Sequence, residues 1–279
     1  MTKLKLWQVD AFASKVLEGN PAAVVPLESW LPDDLMQRLA AENNLAETAF
    51  FVKTAPGRYD LRWFTPYREV DLCGHATLAS AWTLFNFVDP SLDRVAFKTR
   101  SGELVVTRGP EGRNVMSLPS ASSEAFQPPA GFAEALAASL EAPAPKELLI
   151  SAKGGAGAKA LLAVWESPDA IRALKPGAEL KDVLQRVGAG SLLATSRGDG
   201  KPYDFVSRFF APHFGVPEDP VTGSMHCALT PFWAARLGRK QLTARQASAR
   251  GGDLYLTDDG ARTIIAGDCA LYMTGEFEV

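Results

Sequence analysis

Arg62-Trp63-Phe64-Thr65-Pro66-Tyr67 returns later in the chain as Arg208-Phe209-Phe210-Ala211-Pro212-His213, and Arg100-Ser101-Gly102-Glu103-Leu104 returns as Arg250-Gly251-Gly252-Asp253-Leu254. The two anchors keep their order, and their offsets, 62 to 208 and 100 to 250, are 146 and 150 in a chain of 279 residues. A period of half the chain is the mark of a duplicated domain, not of a short solenoid repeat. Between the anchors each half carries a glycine-containing polar loop leading into an apolar run: Asp71-Leu72-Cys73-Gly74-His75 in the first, Glu218-Asp219-Pro220-Val221-Thr222-Gly223-Ser224 in the second. The three histidines, His75, His213 and His226, all lie in or beside these loops. Two facing copies, each offering polar groups at a helix start, are expected to form a cleft for a small ligand between them.

Composition bounds the function. With 47% hydrophobic and 22% charged residues the chain is ordinary globular material, long enough for two domains with separate cores. A net charge of −3 offers no basic footprint, so nucleic acid is not an expected partner. No apolar run approaches membrane-spanning length, and Met1 to Trp7 alternates like a strand instead of forming a secretory apolar block; the expectation is a cytoplasmic protein with no membrane partner. Cys73, Cys227 and Cys269 are few, odd in number and without CxxC spacing, which argues against a disulfide scaffold or a structural zinc site.

Strand patterns dominate. Lys3 to Phe12 alternates; Pro32-Asp33-Asp34 opens a helix running to about Asn43; Ala49–Val52 and Tyr59–Phe64 flank a Pro56-Gly57 turn as a hairpin. Ala76 to Phe85 is apolar on nearly every face and reads as a buried helix, followed by strands at Val95–Thr99, Leu104–Thr107 and Val115–Leu118. The Pro- and Ser-rich stretch from Pro119 to Pro129 is the expected linker, dividing domains 1–120 and 121–279. The second half reads as a helix near Phe132–Leu140, a hairpin from Leu148 to Val164, helices near Pro168–Leu174 and Leu180–Val187, strands at Leu192–Thr195 and Asp204–Phe210, a helix from about Cys227 to Leu237, and closing strands. The expected class is α+β: two duplicated domains, each a mostly antiparallel, barrel-like sheet wrapped around one central helix.

Candidate chemistry is weighed residue by residue. Lys153 to Lys159 has the glycines of a phosphate loop but lacks its Gly-Lys-Ser/Thr ending and sits between strands, so it reads as a hairpin turn. His213, His226 and Cys227 lack metal-ligand spacing, and no metal is expected. Arg62 and Arg208, among aromatic strand neighbours, read as structural ion-pair members. Glu47 enters an apolar strand either as a surface group or as a partly desolvated carboxylate with a raised pKa, fit to exchange a proton; Asp219 in Asp-Pro carries the same two readings. Their association with His75 and Ser224 on the duplicated loops favours function.

Gln8-Val9-Asp10-Ala11-Phe12, Gly19-Asn20-Pro21-Ala22-Ala23-Val24, Ala46-Glu47-Thr48-Ala49-Phe50, Asp71-Leu72-Cys73-Gly74-His75-Ala76-Thr77 and the run from Gly215 through Glu218-Asp219-Pro220-Val221-Thr222-Gly223-Ser224 together resemble the phenazine-biosynthesis PhzF-like family of isomerases, in order and over nearly the whole chain. The resemblance implies a diaminopimelate epimerase-like fold, no cofactor, a site between the domains, a homodimer, and a final strand, about 268–279, that returns to the first domain. It makes Glu47 the proton-transferring acid/base and Asp219 its helper. His75 and Ser224 would orient a small carboxylate substrate, with Gly74, Thr222 and Gly223 supplying donors at the helix starts. One alternative is a cysteine-assisted epimerase or racemase: Cys73-Gly74 matches the first loop of such enzymes, but Pro220 stands where the second cysteine belongs. The other is a metabolite-binding protein without turnover.

Overall fold

The computed structural model describes residues 2–152, 159–200 and 202–279, so the glycine loop at 153–158 lies outside the described residues. The fold is mixed α/β, rich in strands with few helices, and its contacts divide the chain into two units: Met1–Ser117 with Ile265–Val279, and Leu118–Ile264.

Unit 1 runs β1 (Lys3–Ala11), β2 (Asn20–Leu27), α1 (Asp33–Asn43), β3 (Glu47–Ala55), β4 (Arg58–Phe64), β5 (Glu69–Val70), α2 (Gly74–Thr83), β6 (Arg94–Thr99), β7 (Gly102–Arg108) and β8 (Asn114–Pro119). Strand β2 was not read from the sequence because Pro21 and Pro26 argue against an interior strand. Register resolves the conflict. Pro21 lies where β2 pairs only with β1, opposite Asp10, and Pro26 where it pairs only with β3, opposite Phe51, so neither missing N–H interrupts two ladders. Gly19, which leads into β2, has φ +64, and a Cβ there would sit 2.2 Å from the Ala11 carbonyl oxygen; only glycine fits.

Alternation along β3 assigns its two faces. Phe50 packs with Met36 and Ala40 of α1, Phe64 of β4 and Leu4 and Leu6 of β1. Glu47, Ala49 and Phe51 therefore face the other way, toward α2, which contacts β1, β2, β3 and β7. Every residue of α2 except Trp82 is buried, and its buried hydroxyls are satisfied within the helix: Thr77, Ser80 and Thr83 donate to the carbonyls of Cys73, Ala76 and Ala79 at 2.5, 2.7 and 2.9 Å.

Unit 2 runs β9 (Ser123–Ala125), α3 (Phe132–Ser139), β10 (Glu147–Ser151), β11 (Lys159–Val164), α4 (Pro168–Arg172), α5 (Leu180–Gln185), β12 (Ala189–Arg197), β13 (Phe205–Ala211), β14 (Val216–Asp219), α6 (Gly223–Leu237), β15 (Gln241–Gln246), β16 (Gly252–Asp259) and β17 (Arg262–Gly267). The last strand, β18 (Cys269–Glu278), pairs antiparallel with β1. Pairing in the two units follows one scheme. β1–β2–β3–β4 are antiparallel, parallel, antiparallel; so are β10–β11–β12–β13. β4 then pairs antiparallel with β5 and parallel with β6, as β13 does with β14 and β15.

Helix α6 starts at Gly223, four residues before the expected Cys227, with Thr222 as its N-cap. Pro231 inside it lacks an N–H, which leaves the carbonyl of Cys227 without its helical donor; the N–H of Ala121 supplies one at 2.9 Å. Gly238, at φ 66, ends the helix.

Arg62 of β4 lies across both oxygens of Glu69 at 2.7 and 2.8 Å, and Arg208 of β13 across both oxygens of Glu218 at 2.7 and 2.8 Å. Arg208 is 8% exposed and also donates to the carbonyl of Leu174 at 2.6 Å. Arg208→Met would strand a half-buried carboxylate and a buried carbonyl, so urea unfolding should show a loss of about 3 kcal/mol. Arg58→Met, which breaks an exposed pair with Glu103, should cost below about 1 kcal/mol in the same measurement.

Candidate active site

Glu47 is the first residue of β3, opposite Ala22 of β2, on the face turned to α2. Cys73 is the N-cap of α2 in extended conformation, φ −142, and His75 is the second helical residue. This short extended-to-helix corner brings three different side chains together. His75 Nε2 lies 3.0 Å from Glu47 Oε2, and Cys73 Sγ lies 3.5 Å from His75 Nδ1. Cys73 and His75 are buried, while the Glu47 side chain keeps 17% exposure. Glu47 Oε2 is buried and takes no hydrogen bond of regular geometry, so the imidazole N–H approaches it out of line. The N–H groups of Gly74, His75 and Ala76 open α2 and carry its positive end.

Burial works against a charged ring at His75, yet the neighbouring Cys73 sulfur and Glu47 carboxylate hold its pKa well above the ordinary imidazole value. Burial, reinforced by the Glu47 charge, pushes the Cys73 thiol up to about 11 against the smaller opposing pull of His75. Cys73 is therefore a thiol at neutral pH, 3.5 Å from His75 Nδ1.

In unit 2 Asp219 ends β14 and Thr222 is the N-cap of α6; the Thr222 hydroxyl donates to Asp219 Oδ2 in a short hydrogen bond. Gln246, 1% exposed, fixes the same loop from β15: its amide nitrogen donates to the Asp219 carbonyl at 2.8 Å, and its amide oxygen accepts from the Thr222 N–H at 2.8 Å. Ser248 donates to the Pro220 carbonyl at 2.8 Å. Gly223 and Ser224 open α6, and the half-buried Ser224 hydroxyl has no hydrogen-bond partner among the described residues. The structure thus brings together Glu47, Gly74 and His75 in unit 1, and Asp219, Thr222, Gly223 and Ser224 in unit 2.

Sequence reading missed Gln246, although its signal was present: Leu242, Ala244 and Gln246 share the buried register of β15, and a polar residue in that register must satisfy backbone. It missed the contact of Cys73 with His75 as well. Trp63 of β4 is also unforeseen. It lies opposite Ala49, on the Glu47 face, and its buried indole N–H has no hydrogen-bond partner among the described residues.

The other histidines stay apart from this chemistry. His213 Nε2 meets the Lys181 carbonyl at 2.9 Å. His226 is buried between the Thr222 carbonyl, 2.9 Å from Nδ1, and the Ser207 hydroxyl, 3.3 Å from Nε2, with the Phe205 ring stacked on it. Burial lowers its pKa to about 4. A neutral ring with Nδ1–H donating to Thr222 satisfies both contacts.

The two buried rings have opposite signs of pH dependence. A raised folded pKa at His75 gives stability that is complete below the unfolded value of about 6.5 and is lost as pH rises through the folded value. At His226 the unfolded chain takes the proton first, so stability falls by roughly 3 kcal/mol as pH drops from about 6.5 to about 4. Imidazole NMR titration should find His75 titrating above the ordinary imidazole value of about 6.5 and His226 neutral down to about pH 5. A His75 ring titrating below that value would contradict its placement beside Glu47 and Cys73.

The family model for phenazine biosynthesis-like proteins matches residues 9–275. An uncharacterized isomerase of Pseudomonas aeruginosa is 46% identical over 280 residues, covering 98% of each chain. A human phenazine biosynthesis-like domain-containing protein is 37% identical over 305 residues, again covering 98% of each. The crystal structure of a PhzF-family protein from Enterococcus faecalis superposes with a TM-score of 0.89 at 38% identity over 100% of both chains. By sequence along nearly its full length and by fold, this chain belongs to the phenazine biosynthesis-like (PhzF) family of isomerase-like proteins.

Proposed function

We propose that the chain is a cofactor-independent isomerase that moves a proton within a small cyclic or amino carboxylic acid, with Glu47 as acid/base. One observation carries the reading: a carboxylate oxygen, buried and without a regular hydrogen bond, held beside an imidazole at 3.0 Å and a helix N-terminus. Such an oxygen is an acceptor kept ready. It takes a proton from substrate carbon, becomes the neutral acid, and returns the proton to another carbon. The imidazolium of His75 orients the carboxylate and offers positive charge while negative charge spreads over the substrate. The α2 N–H groups of Gly74 and His75 suit the substrate carboxylate. On this reading Ser224 and the Asp219–Gly223 loop also bind substrate, the working form is a homodimer, and each unit is one copy of a duplicated sheet around a central helix. The shared pairing scheme and the matched arginine clamps support the duplication.

Cys73 is ill suited to be the base. Its thiol is held near 11, and the only other cysteine near a matching loop, Cys227, is buried within α6.

Glu47→Gln should lower kcat by about 10²-fold or more while ligand affinity and fold persist. Product formation from a metabolite pool, followed at constant mass by chromatography and NMR, is the measurement, and undiminished turnover by the variant would remove Glu47 from the reaction. Cys73→Ser should lower kcat by less than about tenfold, whereas a thiolate base would lose nearly all activity.

A further inference from the structure

Gln246, 1% exposed at the end of β15, spends its side chain on one loop: Nε2 donates to the Asp219 carbonyl at 2.8 Å and to Thr222 Oγ1 at 3.2 Å, and Oε1 accepts from the Thr222 N–H at 2.8 Å. We propose that Gln246 is a positioning residue of the isomerase: acting through the Thr222 hydroxyl it aims the hydrogen bond that Asp219 receives, and it sets the loop from which α6 presents Gly223 and Ser224. The clamp itself stands on these distances, and only its part in turnover rests on the isomerase reading.

Donor and acceptor counting fixes the direction of every link. The Thr222 N–H can only donate and the Asp219 carbonyl can only accept, so the side-chain amide fits this loop in one orientation. Both Nε2 hydrogens are then committed, one to the carbonyl and one to Thr222 Oγ1. A hydroxyl that accepts from Nε2 has one hydrogen to give, and it goes to Asp219 Oδ2. The order is therefore Gln246 to Thr222 to Asp219, amide to hydroxyl to carboxyl group.

The fold by itself does not demand this amide. Strand β4 pairs with β6 as β13 does with β15, and aligning Tyr59↔Phe97 with Phe205↔Ala244 puts Thr99 at the place of Gln246. Thr99 turns back to its own hairpin, donating to the Gly102 carbonyl at 2.7 Å. Unit 1 thus begins its buried helix without an amide at this place, and Gln246 answers a requirement of the Asp219 loop instead of one of the shared pairing scheme. Burying a primary amide is costly unless its bonds are met, and here the Asp219–Thr222 loop meets them. A separate tie, from the Ser248 hydroxyl to the Pro220 carbonyl at 2.8 Å, holds the same loop without touching Thr222.

Turnover by Gln246→Met, Thr222→Val and the double variant, read as kcat and KM in one assay with Glu47→Gln and Ser248→Ala, tests the relay. Gln246→Met should lower kcat by about tenfold or more and move KM by less than about threefold. In the Thr222→Val background the same substitution should cost below about twofold, because its route to Asp219 is already cut, and Thr222→Ser should keep kcat within about threefold of the unsubstituted protein. Ser248→Ala, which removes the other tie, should leave kcat within about twofold. Undiminished kcat in Gln246→Met, or losses that multiply in the double variant, would overturn the positioning role. Should Gln246→Met fail to fold by circular dichroism, Gln246→Glu takes its place: it keeps an acceptor for the Thr222 N–H and lacks both donors. Hydrogen exchange in the unliganded protein is independent of turnover: Gln246→Met should speed exchange of the Thr222 amide by about tenfold or more relative to Ser248→Ala, and an unchanged rate overturns the clamp. An inactive Glu47→Gln beside a fully active Gln246→Met sinks the positioning role alone. A fully active Glu47→Gln sinks the isomerase reading, and the exchange rate still decides the clamp.

Discussion

A planar guanidinium gripping both oxygens of one carboxylate fixes the start of each buried helix. Arg62 holds Glu69 on β5, four residues before Cys73-Gly74 begin α2; Arg208 holds Glu218 on β14, four residues before Thr222-Gly223 begin α6. Bidentate pairing fixes orientation as well as distance, which a lysine in the same place cannot do. The guanidinium groups are themselves wedged against rings, Arg62 at 5.2 Å from Phe64 and Arg208 at 4.8 Å from Phe210, so the clamp is part of the apolar packing. Through it the strand ladder sets the position of His75, and hence the distance from His75 to Glu47.

Burial of α2 on nearly all sides makes that positioning rigid and costly to perturb. A helix with a solvent face can shift along its groove; one enclosed by β1, β2, β3 and β7 cannot move without opening the core. The sequence meets the polar requirement inside the helix, with hydroxyls returning to carbonyls four residues back, and it repeats the device in α6, where Thr230 donates to His226 at 2.7 Å. Where Pro231 breaks that scheme, a strand-like backbone segment at Ala121 fills the gap. Each helix thus returns its buried hydroxyls to the carbonyls of its own preceding turn.

Legibility of the fold followed the strength of local patterning. The apolar run after Gly74, the alternation of Lys3 to Phe12 and the Pro56-Gly57 hairpin were readable because propensity and tertiary environment agree there. Strand β2 was hidden by two prolines whose tolerance depends on which neighbour is paired at each position, information that lies in the register and not in the strand itself. Helix α6 began earlier than read because Gly223 and Ser224 are weak helix formers in isolation. Among site residues, Glu47 was visible as a charge entering an apolar strand, and His75 as a polar residue at a helix start. Gln246 carried only a partial signal, its place in the buried register of β15, since its partners Asp219 and Thr222 lie 27 and 24 residues away and only the folded loop brings them to it.

Burial and electrostatics at the Glu47 corner keep Cys73 protonated: the thiol sits in a mostly dry space beside a carboxyl group, which pushes it up to about 11 against the smaller pull of His75. The acceptor left without a regular hydrogen bond at this corner is Glu47 Oε2, 3.0 Å from the imidazole. A buried acceptor left unsatisfied costs stability, and the proposed proton transfer would supply the partner it lacks: a proton taken from substrate carbon satisfies Oε2, at a corner where the Cys73 thiol does not compete for it.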